Sequence, residues 1–165
     1  MTDRRPSWTR RLVTLAAALL IAAAWGALVQ TQFNLQALAP FVDVPVRVRW
    51  TTSLQDLVGY GPVQLGLVAA AWLPALPVAA WLGRRRPRLR TPLYALAAGV
   101  GLVAAIRLTD AVAPMPVLID ATRGLVGLLA IAAGSALGGG LFAHWTRPHR
   151  RTGARETIRR TADGA

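Results

Sequence analysis

Apolar and charged positions are segregated along this chain. No charged residue occurs from Leu12 to Val42, Leu57 to Gly83, Thr91 to Ile106 or Gly124 to Ala143. A helix that crosses the roughly 30 Å hydrocarbon core needs about 20 apolar residues. The pattern therefore predicts an all-α integral membrane protein. Its four transmembrane helices are expected over 12–30, 57–82, 91–113 and 122–145, with basic tails at 1–11 and 146–165. The C-terminal tail is expected to be disordered. The first span reads as a retained anchor rather than a cleaved signal. Its apolar stretch exceeds a typical signal core, and the small-residue triplet at 37–39 is followed by Pro40.

The connections differ in pattern. After Val29 the first apolar run enters "QTQFNLQ", whose amides Gln30/Asn34 and Gln32/Gln36 are spaced by four. A helix emerging from the membrane would stack them in two rows. The next segment, "VDVPVRVRWTTS", alternates: Val44, Val46, Val48 and Trp50 fall on one side, and Asp43, Arg47 and Arg49 on the other. Period two is a strand signature. It predicts an extended outer loop, lying valines-down on the membrane or pairing with another subunit. Ser53 followed by Asp56 three residues later then reads as the capped start of the second span. Pro74 and Pro77 fall inside that span and predict a kink. Thr91-Pro92 reads as cap and first turn of the third. Pro114 and Pro116 place the turn between the third and fourth spans.

Charge sets the expected orientation. The tail 1–11 has four arginines and one aspartate. "GRRRPRLR" has five arginines and no acid, and the tail after Trp145 has six arginines against Glu156 and Asp163. These three segments carry the whole net charge of +12. The other two connections balance: Arg47, Arg49, Arg107 and Arg123 against Asp43, Asp56, Asp110 and Asp120. By the positive-inside rule both termini and the middle loop face the cytoplasm. Trp81, Tyr94 and Trp145 then fall at inner ends and Trp25 and Tyr60 near outer ends, as interfacial aromatics do. Trp72, near mid-span, is the exception.

Candidate chemistry is sparse. The chain has no cysteine, which excludes disulfides and thiolate metal sites. His144 and His149 both lie near the C-terminus, so histidines on two spans cannot hold a haem. No nucleophile–base pair, phosphate loop or intramembrane carboxylate pair is present, and no catalytic residue, cofactor or metal is expected. All nineteen basic residues are arginine, a pattern that codon bias in a GC-rich genome explains. The tail arginines predict contact with anionic lipid. Nucleic acid is not expected, because no aromatic residue interleaves them after Trp145.

Two sets of residues stand out. Gln30, Asn34, Gln64, Arg107, Asp110 and Asp120 make a candidate polar mouth at the outer side. Arg107 follows only sixteen uncharged residues, about 24 Å of helix, so it is expected below the outer interface and paired with Asp110 or Asp120. Gly127, Gly134 and Gly138 make a helix-packing face on the fourth span. "GSALG" supplies the small-xxx-small spacing that lets backbones approach, within the bundle or between copies.

"TQFNLQAL", "TTSLQDLVGYGP", the proline-containing second span and "TRGLVG" together resemble a group of small four-span proteobacterial inner-membrane proteins. That resemblance implies a bacterial inner-membrane location and assigns no activity or site residue. The expected function is an accessory or structural subunit of a membrane complex, contacting partners through the outer loop 31–56; the expected partner is a larger membrane complex or another copy of the chain. The alternative is a small transporter or lipid-handling protein using the polar mouth. An enzyme acting on lipid headgroups is the weakest of the three.

Overall fold

A computed structural model describes residues 7–112 and 120–147. The Pro114–Pro116 turn, His149 and most of both tails lie outside the described residues, as do the side chains of Asp120 and Arg123. Among the described residues the fold is all-helical. Four helices are long and apolar enough to cross a membrane.

Helix α1 spans Trp8–Leu38. Ser7 caps it, its hydroxyl accepting from the Arg10 N–H at 3.3 Å. The helix runs unbroken through the amide-rich segment and ends just before Pro40.

Helix α2 spans Val46–Gly59 and corrects the expectation of an extended outer loop. A lone strand would leave its backbone N–H and C=O groups without partners, whereas a helix pairs them within itself. Pro45 stands at the N-cap, where its fixed φ suits the turn into a helix. Ser53 is therefore a mid-helix residue, not a cap. Tyr60 ends α2 and begins α3, and both of its backbone groups are used: its N–H donates to the Asp56 carbonyl and its carbonyl accepts from Gln64.

Helix α3 spans Gly61–Arg85 and continues through Pro74 and Pro77. A short 3₁₀ turn at Pro87–Leu89 leads into α4, Arg90–Val112. Thr91 and Pro92 thus lie in the first turn of α4, where proline costs no intrahelical bond. A second 3₁₀ turn, Asp120–Arg123, precedes α5, Leu125–Trp145.

The four long helices form a closed ring. α5 packs on α4 and α1, and α3 packs on the same two from the other side. Neighbours run antiparallel, so the ends of α1 and α5 that bear Trp8 and Trp145 lie beside the α3–α4 turn. At that arginine-rich end the Arg90 guanidinium donates to the Thr146 carbonyl at 3.0 Å and its hydroxyl at 2.8 Å. Arg147 donates to the Thr91 hydroxyl at 2.6 Å. A cation at the C-terminus of α5 also meets the negative end of the helix dipole.

Glycine and alanine bring the helices close. A Cβ at Gly138 would lie 2.9 Å from the Ala18 carbonyl oxygen and 3.0 Å from Trp72, and one at Gly139 would lie 2.7 Å from the Tyr94 carbonyl oxygen. Gly134 carries the Trp25 indole, whose N–H donates to the Ala130 carbonyl at 2.9 Å. Gly127 sits against the Ala121 carbonyl. Trp72 fills the centre at 2% exposure. Its N–H donates to Ser135 Oγ at 2.9 Å, and Ser135 donates to the Ala98 carbonyl at 2.8 Å. Three helices are tied at one level by this relay. The tryptophan that looked out of place in an interfacial belt is a core residue.

Candidate functional site

Polar side chains gather at the end of the bundle opposite the arginines, where α1, α2, α3 and the Asp120–Arg123 turn meet. Gln30, Thr31, Ser53, Gln64 and Thr122 are all buried there. Buried polar groups need partners, because each unpaired one keeps its full desolvation cost.

The partners are mostly present. Gln30 Oε1 accepts from the backbone N–H of Ala121 at 3.0 Å, joining α1 to the turn before α5. Thr31 Oγ1 lies 2.9 Å from both the Ala27 carbonyl and Asp56 Oδ2, and its one proton serves one of them at a time. Gln32 Nε2 donates to Ser53 Oγ at 2.9 Å, and Ser53 donates to the Arg49 carbonyl at 2.7 Å. Tyr60 donates its hydroxyl to Gln64 Oε1 at 3.2 Å. Burial pushes the Tyr60 phenol above its ordinary value, so it stays a neutral donor at neutral pH. Among the described residues two buried atoms lack a partner: Gln64 Nε2, whose amide lies directly on Gly26, and Asn34 Oδ1.

Of the candidate mouth, the structure brings Gln30 and Gln64 into this seam, with Asn34 half-buried beside them on α1. Arg107 is not part of it. It lies on the exposed side of α4, five residues before Val112, and makes no ion pair among the described residues. Asp110, three residues on, is half-buried and has a partner of its own. An arginine about 8 Å below a helix end reaches the interface by extending its chain. The cost of a broken buried pair does not apply to it.

Thr31, Ser53, Tyr60 and Thr122 belong to the seam and were not singled out as site residues in the sequence. The signal was present for one of them. Ser53 and Asp56 are three apart, which on a helix places them on one face against α1, but the same spacing reads as a capping box.

Among the described residues the seam holds amides, hydroxyls and the Asp56 carboxylate. This chemistry fastens helices and offers hydrogen bonds, and His144 is at the far end on α5. Among the described residues no three His, Asp or Glu side chains group as metal ligands. No protein-family model matches the chain, and no curated protein or solved structure is significantly similar to it.

Proposed function

We propose that this protein is an accessory or structural subunit of a complex in the bacterial inner membrane, and that it meets its partner through segment 31–56. The observation that carries this reading is the sealed interior. Trp72, Ser135 and the glycines of α5 close the bundle at mid-height, while the buried amides Gln30 and Gln64 lie at one end. A carrier needs a polar route across the membrane, and polar or ionisable groups along one mark such a path. The interior at Trp72 is instead packed, and the Ser135 hydroxyl there is already hydrogen-bonded to Trp72 and the Ala98 carbonyl.

The test is purification in a mild detergent with mass spectrometry of what co-elutes, for the parent chain and for Thr51→Glu/Gln55→Glu, whose positions are exposed on α2. A stoichiometric membrane partner, lost in the double variant while the chain's own thermal unfolding is unchanged, is the expected result. A lone homo-oligomer with no partner would overturn it. The second reading, a small transporter or lipid-handling protein, draws on the unpartnered Asn34 Oδ1 and Gln64 Nε2, which would suit a polar guest.

The orientation proposed with this function puts both termini and the α3–α4 turn in the cytoplasm, following the arginine distribution. There the basic segments meet anionic headgroups, each charge contributing about 1 kcal/mol near the surface. Alkaline phosphatase fused after Pro45 is expected to be active, and after Arg86 or Ala165 inactive. High activity at Ala165 would reject this topology.

A further inference from the structure

Helix α2 has three faces, not two. Arg49, Thr52, Ser53, Asp56 and Leu57 are buried or half-buried on the side that meets α1. Val46, Trp50, Leu54 and Val58 form a second row, each between 61% and 78% exposed. Arg47, Thr51 and Gln55 form a third row, also exposed. Steps of four residues advance about 40°, so the apolar row winds over about 120° of the helix surface and the polar row lies beside it.

A helix packed on a bundle and otherwise surrounded by water needs one packed face and one polar face. A helix packed on a bundle and otherwise surrounded by lipid tails needs a packed face and an apolar one. Three sectors, for protein, apolar medium and water, are what a helix at the boundary between lipid and water requires.

We propose that α2 is an interfacial helix, with Val46, Trp50, Leu54 and Val58 seated at the boundary of headgroups and acyl chains, in the leaflet at the arginine-poor end of the bundle. The position follows from continuity. α3 begins at Gly61, one residue after Tyr60, and Val63 in its first turns is 56% exposed on the surface a bilayer would cover. The row on α2 reaches Val58 immediately before that junction, so the two apolar surfaces adjoin. Trp50 suits this depth, since indole rings concentrate at membrane interfaces. Arg47, next to the row, can lay its methylenes on it and offer its guanidinium to lipid phosphate. A second copy of the chain is a poorer occupant. One row of four side chains falls well short of the roughly 800 Å² per partner that a stable interface buries.

The inference rests on the chain spanning a bilayer and is independent of any partner subunit. The absence of cysteine makes the test direct. Single cysteines replace Trp50, Leu54 or Val58 in the apolar row, Thr51 or Gln55 in the polar row, and Leu73, which is exposed in the middle of α3. Each variant carries a nitroxide and is reconstituted into phosphatidylcholine–phosphatidylglycerol vesicles. Collision with oxygen, which concentrates in lipid, is compared with collision with a nickel chelate, which concentrates in water, supplied on both sides. The oxygen-to-nickel ratio at Trp50, Leu54 and Val58 is expected several-fold above that at Thr51 and Gln55, and below that at Leu73. A ratio in the apolar row equal to that at Thr51 and Gln55 would overturn the inference, with Leu73 still reporting a membrane span. Low collision with both reagents in the apolar row would overturn it in favour of protein cover. A water-like Leu73 would instead reject the spanning architecture itself.

Discussion

Gly138→Leu is expected to destabilise the bundle by about 3 kcal/mol or more, at the upper end of what overpacking costs. The reason is what the new side chain meets. The space above Gly138 is closed by the Ala18 carbonyl oxygen, the Ala22 methyl and the edge of Trp72. A backbone carbonyl cannot swing aside, so α1 and α5 would have to separate along their contact. Gly134→Leu should cost less, about 1–2 kcal/mol, although its neighbour is nearer. That neighbour is the Trp25 ring, which is 44% exposed and can turn outward at the loss of one hydrogen bond to Ala130. Both glycines face other helices of the same bundle, so elution size should stay that of the parent chain. Thermal unfolding and size-exclusion chromatography in one detergent check both points. Parent-like unfolding of Gly138→Leu would mean that the helices are not this close. A change of size without loss of stability would assign the glycine face to another copy.

Trp72→Ala is expected to cost about 3–5 kcal/mol, the usual range for emptying a buried aromatic site. Two effects contribute, and their sizes differ. The lost volume lies at the centre of a bundle, beside Gly138 and the Ala22 methyl, which are too small to fill it. The lost hydrogen bond to Ser135 counts for less: interhelical hydrogen bonds in membranes average about 0.6 kcal/mol. Trp72→Phe keeps much of the ring and gives up the hydrogen bond, so it should retain more than half of the stability that Trp72→Ala loses. Thermal unfolding of both variants distinguishes the effects. Equal losses for Phe and Ala would make the Trp72–Ser135 relay, not packing, the main contribution. No loss for Ala would mean that the interior is not sealed at this level.

The α2 segment shows how a sequence pattern can point the wrong way. Val44, Val46, Val48 and Trp50 alternate with charged residues, and the alternation is real. Yet Val46, Trp50, Leu54 and Val58 also recur every fourth residue, and the two periods share Val46 and Trp50. The choice between them depends on where the backbone hydrogen bonds go. With no strand beside it among the described residues, the segment closes them internally.

The polar seam was partly legible for a related reason. The amides of "QTQFNLQ" stood out because they interrupt an apolar run. Thr31 did not, since a hydroxyl in a helix usually bonds its own backbone and signals nothing, and Ser53 read as a helix cap. Their cross-helix partners, Asp56 and Gln32, lie more than twenty residues away. Arg107 is expected below the outer interface and paired; it is exposed on α4 and makes no ion pair among the described residues. A short apolar run before a charge implied burial and pairing. Run length measures depth, but it does not say which side of the helix meets lipid.

The sequence by itself determined the number of long apolar helices and the segregation of charge between the two ends of the bundle. Both follow from properties a bilayer reads directly: the length of an uncharged run and the sign of what flanks it. Only the tertiary structure decided which side of each helix faces inward. In water, hydrophobicity separates core from surface. Where lipid replaces water, Leu73 at 75% exposure and Trp72 at 2% are equally apolar neighbours, and hydropathy cannot tell them apart. What does is close approach and polar pairing: Gly138 against Ala18, Trp72 to Ser135, Thr31 to Asp56. Those contacts come into being only when helices distant in the chain are brought side by side.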